Sequence, residues 1–600
     1  MRKKNLKKRV ASLALCTLMV ASMLTGCGDG TTESTKKEDT KVSSEEGGST
    51  TSSYDEFITV DVFDQLANFQ GIQSGWFAKI VKDKFNMELN IIAPNVAGGG
   101  DTLFQTRSAA GNLGDLIITG TDNGKLKDLV TAGLLADMTP YMEGKDVVAN
   151  YGDAINSMAD MAGQEGMWAI PSEISNQSPE VSTDGLDPLV APYVRWDSYV
   201  AAGSPEIKTL DDFVPVLKAM QEATPESDSG KKTYAISLFK DWDGNMMVGA
   251  KNFASLYGYQ ELGFVMSKAD GSDIQDITDE NGVYMKALKF LFKANQEGLV
   301  DPESTTQNYD ILSDKYRDGQ VLTSLWSWQG SSMYNTQEHK EAGKGFMPAF
   351  IEDSSPFSYG CYSEGNAKTV IAIGSQAQDP QRMADFIDWL YSPEGMEIAG
   401  QAGGAAGPEG LTWEMQDGKA VRTEFGSKVL AGEDTTVVPD EWGGGQWKDG
   451  ISALNYKPLS IVDIDPNNNE PYMSTMWSSV LEQNNTKLDQ DWQEWAGGAK
   501  TTLEFLEGKN ALSVAPGTAY VAPEESSDIT TLRNQCKEVI VDKSWQMIFA
   551  SSEDEFNSLY NEMKETVTGL GYADVLAIDM QNAKDEAQSR VDAVEAYNNR

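Results

Sequence analysis

Two tryptophans near the middle of the chain have the type and spacing of ligand contacts. Trp326 and Trp328 follow a predicted strand from Val321 to Leu325. Side chains two residues apart on a strand point to the same face, so both indole rings are expected on one side. Flat rings beside polar groups suit sugars, whose apolar C–H faces are bounded by hydroxyls. We expect at least one ring to face a cleft; burial of both rings in a core is the alternative.

Catalytic chemistry has little support in the residue types. The chain has 91 acidic residues, but no motif singles out a pair, and glycoside hydrolysis needs two carboxyl groups about 5.5 Å or about 6.5–9.5 Å apart. The single histidine, His339, lies in a polar stretch typical of a solvated surface. Ser-His and Cys-His hydrolysis are therefore disfavoured. We predict a protein with no catalytic residues and no cofactor.

The cysteines exclude a disulfide scaffold and a zinc cluster. Cys16 and Cys27 lie in the N-terminal leader, which leaves Cys361 and Cys536 for the folded body. Two thiols cannot supply a thiolate zinc site or a disulfide-rich fold. We expect two free buried thiols, with one disulfide as the alternative, and no bound metal.

The N-terminus has the layout of a secretion signal. Six of the first ten residues are basic, and an uncharged apolar run from Val10 to Leu24 follows. This run of about 15 residues is shorter than the roughly 20 that a membrane-spanning helix needs, so cleavage is expected. The end of the run, from Leu24 to Cys27, resembles the bacterial lipobox. We predict a signal peptide over 1–26 and lipidation of Cys27.

The residues after Cys27 predict a tether and an acidic body. Residues 28–53 contain Val42 as their one aliphatic side chain, so 27–53 is expected to be a disordered tether. Residues 1–26 hold six of the 48 basic residues and none of the 91 acidic ones, so the remainder is more acidic than the net charge of −43 for the whole chain. Nucleic acid is therefore excluded as a partner, because it is bound through Lys and Arg.

The elements that must position the tryptophans alternate along the chain. Strand-like runs at 58–63, 88–92 and 115–119 are interleaved with helical spacing, as at 76–85. Such alternation predicts parallel sheets covered on both faces, an α/β fold class. The pattern becomes mostly helical after Trp442 and ends in two acidic helices, at 553–568 and 573–597.

Several blocks resemble family 1 extracellular solute-binding proteins, in particular their larger lipoprotein branch. They occur in the same order as in that family, over about residues 55 to 580. The blocks are Gly114–Ile117, Gly133–Tyr141, Trp168–Pro171, Val194–Asp197, Lys208–Phe213, Gly230–Ala235, Glu297–Glu303, Phe386–Gly395 and Gly407–Glu414.

The resemblance implies a periplasmic-binding-protein-like fold, with two α/β lobes, hinge strands and a ligand cleft. On this basis lobe 1 is expected at 54–178 and 363–430, and lobe 2 at 179–362. A mostly helical continuation of lobe 2 is expected at 431–550, followed by C-terminal helices at 551–600. Open parallel sheets bind ligands outside the carboxyl ends of their strands, and closure of two lobes buries a solute.

The same resemblance directs attention to further candidate contacts near the cleft. For each, packing or surface placement is the alternative. The candidates besides the tryptophan pair are Trp168 and Glu173 near the first crossing between lobes, Arg195, Trp196 and Asp197 after it, Trp242 farther on, and Asp122 just past a first-lobe strand.

One departure from the family concerns calcium. The branch often has an Asp/Asn-rich loop before its Gly-Lys-Lys block, but here only Glu226 and Asp228 offer acidic oxygens in Thr224–Gly230. Calcium prefers 6–8 oxygen ligands, so we expect no metal there.

Together these observations predict an oligosaccharide-binding lipoprotein of an ABC importer. We expect a monomer, lipid-anchored at the extracellular face of the cell membrane, with a small-molecule solute and the transporter permease subunits as partners. The alternatives are an extracellular carbohydrate-active enzyme, a binder of peptide or another solute, and a surface sensor.

Overall fold

Strands and helices alternate along the chain in the computed structural model, which describes residues 53–96, 100–400, 404–483 and 485–600. The α/β fold class predicted from the sequence is confirmed. The strands are β1 (Ile58–Asp64), β2 (Gly71–Ile72), β3 (Met87–Ile92), β4 (Leu116–Gly120), β5 (Ile170–Ser172), β6 (Val190–Arg195), β7 (Tyr259–Leu262), β8 (Val265–Lys268), β9 (Ile274–Asp276), β10 (Thr323–Trp326), β11 (Phe346–Pro348), β12 (Phe357–Tyr359), β13 (Asn366–Ile373), β14 (Trp413–Gln416), β15 (Lys419–Arg422) and β16 (Ser513–Ala515).

The helices cover both faces of the main sheet and form most of the C-terminal region. They are α1 (Gly75–Phe85), α2 (Gly100–Ala109), α3 (Lys125–Thr131), α4 (Thr139–Met142), α5 (Asp146–Ala162), α6 (Trp196–Ala201), α7 (Leu210–Ala223), α8 (Val248–Ser255), α9 (Val283–Gln296), α10 (Tyr309–Arg317), α11 (Ser327–Tyr334), α12 (Gln337–Glu341), α13 (Pro380–Leu390), α14 (Pro393–Ala399), α15 (Glu424–Val429), α16 (Ser478–Leu481), α17 (Lys487–Trp495), α18 (Thr502–Gly508), α19 (Ser527–Ile548), α20 (Glu553–Leu570) and α21 (Tyr572–Asn598).

The first core surrounds a six-stranded sheet with the order β2-β3-β1-β4-β13-β5. Strands β3, β1 and β4 are parallel, and β13 runs antiparallel to β4 and β5. Alternate residues of β4 enter different clusters: Leu116 and Ile118 pack on one face and Ile117 on the other. A strand buried on both faces has to be apolar at every position, which explains the uninterrupted apolar run.

The second core is built from a small antiparallel sheet and many helices. The sheet has the order β10-β6-β11, and α7, α8 and α9 pack against it together with α19 and α20. Helix α9 buries most of its circumference, including Tyr284, Met285 and Phe290, and leaves Lys286 and Lys293 exposed. Such a wide apolar surface indicates a helix packed on several sides by the core. The two C-terminal helices predicted from the sequence correspond to α20 and α21.

One stretch packs differently from its predicted lobe. Val438, Trp447 and Tyr472 belong to the first core, whereas the sequence predicted 431–550 as a continuation of lobe 2. The reason is an aromatic contact that sequence spacing does not reveal: Trp447 stacks on Trp76 of α1, with ring centroids 4.6 Å apart. Trp76 also donates a hydrogen bond from Nε1 to the carbonyl of Trp447, at 3.1 Å.

Two segments that join the cores, 172–190 and 351–366, here termed the crossing segments, lie side by side next to Leu459 of the first core, and a third passes between the cores after Tyr472 and before Leu488. Ile174 forms parallel bridges with both Tyr362 and Leu459, and β12 pairs with β16 in parallel. At Gly360 an added Cβ would lie 1.8 Å from the carbonyl oxygen of Pro179. The segments can approach this closely because the residue has no side chain.

A fourth connection follows β16. Ala519 and Val521 pack on the first-core cluster that contains Phe63 and Leu126, and the chain then enters α19 in the second core. Within the described ranges, no helix is both long and apolar enough to span a bilayer.

Candidate functional site

Four aromatic side chains form a partly exposed surface on the second core, here termed the aromatic platform: Trp242, Tyr309, Trp326 and Trp328. Trp326 and Trp328 stack with centroids 5.8 Å apart and an interplanar angle of 22°. Trp242 lies 5.6 Å from Trp326, 6.0 Å from Trp328 and 4.6 Å from Tyr309. Trp242 is 42% exposed and Trp328 is 38% exposed. Tryptophan is usually well buried, so two such rings together are the kind of apolar patch that marks a binding surface.

The local chain explains why the rings meet. Strand β10 ends at Trp326 and α11 begins at the next residue, so the chain turns between the two indoles. The pairing of β10 with β6 shifts register between Ser324 and Trp326, and such irregularities re-aim side chains. The turn that contains Trp242 is tied to α10 because the Tyr309 amide donates to Asp241 Oδ2, at 2.9 Å.

Behind Trp326 lies a cavity of about 230 Å³, here termed the polar pocket. Its walls come from two crossing segments, from α8 and β7, and from Trp326 itself. The lining residues are Asp184, Leu189, Val190, Lys251, Asn252, Ser255, Gln260, Glu261, Trp326, Phe357, Ser358 and Tyr359. Because Trp326 belongs to both features, the pocket and the platform adjoin.

The polar pocket contains both satisfied and unsatisfied polar groups. Lys251 Nζ lies 2.9 Å from Glu261 Oε2, and Glu261 Oε1 also accepts from the amide of Asn245, at 3.1 Å. By contrast, Asp184 Oδ2 and Gln260 Nε2 are buried without a hydrogen-bond partner. Burial raises the pKa of Asp184 to about 6. Buried polar groups in native proteins are nearly always paired, so two unpaired groups in residues around one cavity are unusual.

Arg195 and Trp196 are interior residues, and the prediction that they contact a solute is corrected. Trp196 is 1% exposed, with Tyr199 and Trp495 at centroid distances of 5.3 and 5.2 Å. Arg195 is 3% exposed and donates to both carboxylate oxygens of Asp197, at 3.0 and 2.8 Å. The half-buried Asp197 is therefore the ion-pair partner of Arg195. Packing, the alternative for these residues, accounts for all three.

The first-core candidates lie in separate places. Half-buried Trp168 packs on the cluster containing Phe63, and its indole donates to the carbonyl of Glu165, at 3.1 Å. Glu173 Oε2 accepts a hydrogen bond from Asn366 Nδ2, at 2.7 Å, and Glu173 Oε1 lies 3.9 Å from Lys457 Nζ.

Asp122 lines a first-core cavity of about 540 Å³ together with Gln65 and Phe104. Gln65 directly follows β1, and Gly120, in the same wall, ends β4. The cavity thus lies at the carboxyl ends of parallel strands, where open sheets bind ligands.

The remaining chemistry-bearing residues are structural in the described part of the chain. No group of three or more His, Cys, Asp or Glu side chains there is arranged to hold a metal. Ser227 and Ser229 of the loop considered for calcium donate to Asp318. His339 was expected at a solvated surface but is only partly exposed, because it stacks on Tyr334 with centroids 4.1 Å apart. Cys361 and Cys536 are free and buried, as predicted. Cys27 lies outside the described residues.

Several pocket residues were missed by sequence reasoning. Asp184, Lys251, Gln260 and Tyr359 come from separate parts of the chain and meet only through the fold. The one local signal is the polar pair Gln260–Glu261 inside an otherwise apolar strand region. Tyr309 follows the N-cap residue Asn308, a signal for a helix start rather than for a site.

Comparison with known proteins gives consistent results. Lipoprotein LipO of Bacillus subtilis is 24% identical over 250 residues, which cover 39% of this chain and about half, 46%, of that protein. The S. pneumoniae ABC-transporter substrate binding protein FusA, in complex with kestose, is 14% identical with a TM-score of 0.57, covering 89% of this chain and 100% of that one. An HMO-binding, ABC-transporter-associated solute binding protein of Bifidobacterium longum infantis is 13% identical with a TM-score of 0.57 and the same coverage.

The two solved structures share the two-lobe fold at low identity. The sequence shows the family. The family model described as bacterial extracellular solute-binding protein matches residues 71–397, more than half of the chain. This protein therefore belongs to the bacterial extracellular solute-binding protein family.

Proposed function

We propose that this protein captures an oligosaccharide in the cleft between its lobes and delivers it to the permease subunits of an ABC importer. The observation that carries the proposal is the aromatic platform, with its exposed Trp242 and Trp328, next to a pocket with unpaired polar groups. Stacked indoles match the apolar faces of sugar rings, and the polar groups match hydroxyls. The similar structures described as binding kestose and HMO support the same ligand class.

Attachment to the outer face of the membrane belongs to the same proposal. Its support is the resemblance of Leu24–Cys27 to a lipobox, the polar sequence that follows it, and the similarity to lipoprotein LipO. Two acyl chains provide stable anchoring where one does not, since each buried CH₂ contributes about 0.8 kcal/mol. A monomer anchored in this way can present bound solute to the importer.

The proposal is tested by calorimetry against fructo-, malto-, xylo- and manno-oligosaccharides and human milk oligosaccharides. We expect at least one series to bind. Trp328→Ala should then weaken binding by about 2 kcal/mol or more while the melting temperature stays close to wild type, because an exposed ring contributes to the interface rather than to the core.

Trp442→Ala is the matched control, because Trp442 is a partly exposed tryptophan packed on the first core. It should leave affinity unchanged. Binding of a peptide library with no response to any glycan would redirect the protein to another solute class.

A carbohydrate-active enzyme is the second candidate, because the polar pocket holds two carboxylates in different environments. Burial raises the pKa of Asp184, while Glu261 is paired with Lys251. Two carboxyl groups in different environments are the pattern of glycosidases. We propose binding without turnover, so prolonged incubation with the glycans should produce no new reducing ends. A surface sensor would be favoured if deletion of the gene left uptake of the bound sugar unchanged.

A further inference from the structure

Helix α21 is fixed to the second core near its middle. Asp579 is 3% exposed, and its Oδ2 accepts a hydrogen bond from the amide of Phe264, at 2.7 Å. Arg533 of α19 donates to both oxygens of the same carboxylate, at 2.9 and 2.6 Å. A buried ion pair of this kind resists displacement, because separating the partners leaves each charge uncompensated. This part of α21 therefore moves together with the second core.

The attachment continues along the helix to Arg590. Arg590 is 4% exposed, and its Nη1 donates to the carbonyl of Ala269, at 2.7 Å. Its Nη2 lies 3.2 Å from Glu586 Oε1. At Gly271 an added Cβ would lie 2.5 Å from Cβ of Ala587, so the turn after β8 packs directly on the helix. The helix then continues for about two more turns, to Asn598.

The residues at the end of α21 reach both crossing segments. The hydroxyl of Tyr597 donates to the carbonyl of Asn176, at 3.3 Å. Nη2 of Arg600 donates to the carbonyl of Ser363, at 2.8 Å. The Arg600 guanidinium also lies over the Tyr597 ring, 5.5 Å from its centroid. The two donors therefore support each other's position through a cation–π contact.

These contacts fall where the crossing segments leave the first core. Strand β5 ends at Ser172 and β13 begins at Asn366, and both strands belong to the six-stranded sheet. Asn176 and Ser363 lie close to these strand ends in the chain. A helix fixed in the second core thus touches the point at which both segments join the first-core sheet. Movement of one core relative to the other has to alter such contacts.

The crossing segments are also hydrogen-bonded to each other at this point. The amide of Ser175 donates to the carbonyl of Tyr362, at 3.0 Å, and the amide of Cys361 donates to that of Val181, at 2.8 Å. Protected amides exchange with solvent when the local structure opens. The exchange rates of these two amides therefore report on the parting of the segments.

We propose that Tyr597 and Arg600 form a releasable clasp, which ties both crossing segments to α21 and slows their parting. Tyr597 is half-buried and Arg600 is exposed, so the clasp can open while the helix stays folded. The clasp itself does not depend on the solute. Slower release of a bound oligosaccharide is the consequence that rests on the proposed function, because release requires the lobes to separate.

Hydrogen–deuterium exchange of the protein without solute tests the clasp. Wild type is compared with Tyr597→Phe, Arg600→Gln and the double variant, in peptides that contain Ser175 or Cys361. The double variant should take up deuterium about fivefold faster or more in both peptides, because loss of two hydrogen bonds favours the open state by a factor of this order. Uptake in α9 should match that of wild type, since this helix lies within the second core.

Lys584→Gln is the matched control, because it removes one positive charge from an exposed position on the same helix. It should leave deuterium uptake in both crossing segments unchanged. Melting temperatures of all variants should stay close to wild type, since the buried groups that hold α21, Asp579 and Arg590, are intact.

Three results would overturn the clasp. The first is wild-type uptake in both segments of the double variant. The second is an equal acceleration in α9, which would assign Tyr597 and Arg600 to the stability of the whole fold. The third is the same acceleration in Lys584→Gln, which would assign the effect to charge alone.

Solute release is measured separately, by surface plasmon resonance with a glycan that binds the wild type. The double variant should release it several-fold faster. An unchanged release rate together with faster deuterium uptake would overturn the link between the clasp and solute release. Failure of every glycan to bind would end the proposed function, and faster uptake in the double variant would still support the clasp.

Discussion

Asp64 shows how strongly burial acts on a single residue in this protein. It is 0% exposed at the end of β1. Its Oδ1 accepts from the amides of Leu66 and Ala67, at 2.8 and 3.1 Å, while Oδ2 is buried without a partner. Burial raises the pKa of this carboxyl to about 8. Asp64 is thus a neutral acid at pH 7.

The titration of Asp64 predicts a pH-dependent effect of Asp64→Asn. In the unfolded chain the carboxyl ionises near pH 3.8, and in the folded protein near pH 8. Between these values unfolding releases a proton, so the wild type loses stability as the pH rises. The variant lacks this loss, and its advantage in unfolding free energy should grow by up to about 1.4 kcal/mol per pH unit over that window. Urea unfolding of both proteins at pH 5.5 and 8 measures the difference; parallel curves would contradict the assignment.

At the scale of elements, the crossing segments set how the two cores are held together. Gly360 and Gly517 both lie where another backbone approaches: an added Cβ would be 1.8 Å from the carbonyl oxygen of Pro179 in the first case and 2.1 Å from that of Cys361 in the second. Hinges absorb conformational change at a few such positions. The same segments form the inner wall of the polar pocket, so hinge geometry and pocket shape are coupled.

Gly360→Ala should therefore affect both stability and binding. The methyl group forces the crossing segments apart, an overpacking change that typically costs about 1–3 kcal/mol. Gly152→Ala, in α5 with open space around it, is the control and should be neutral or slightly stabilising. Thermal unfolding and glycan titration of both variants test this. Wild-type behaviour of Gly360→Ala would show that the close approach is easily relieved.

The sequence predicted the helices and strands better than it predicted how distant segments pack together. Alternating apolar runs were enough for β1, α1 and the C-terminal helices, because local periodicity decides those elements. Trp326 and Trp328 were predicted to share one surface because they are close neighbours in the chain, and their rings stack. Trp196 could not be told from Trp242 by type or context, yet one is 1% exposed and the other 42%. The polar pocket depends on crossings between distant segments, which no local pattern encodes.

At the scale of the whole molecule, two cores are linked by several passes of the chain rather than by one flexible linker. The first core has a mixed sheet covered on both faces, and the second is completed by α19 and α20. After β16 the chain touches the first core again through Ala519 and Val521. Closure of such a body has to bend several parallel connections together, which favours a limited, well-defined motion.

The alkylation rates of the two buried thiols report how often the structure around each of them opens. Cys361 lies in a crossing segment and Cys536 inside α19, both at 0% exposure. Burial raises the pKa of Cys361 to about 11 and also raises that of Cys536, so alkylation requires opening. Cys536 belongs to the second core, whereas Cys361 lies where two segments that join the cores meet. We expect the crossing segments to open more readily than this core, so Cys361 should react first under pulsed iodoacetamide. Peptide mass spectrometry measures the alkylation of each cysteine separately. Equal alkylation rates would mean that the crossing segments and the second core open as one cooperative unit.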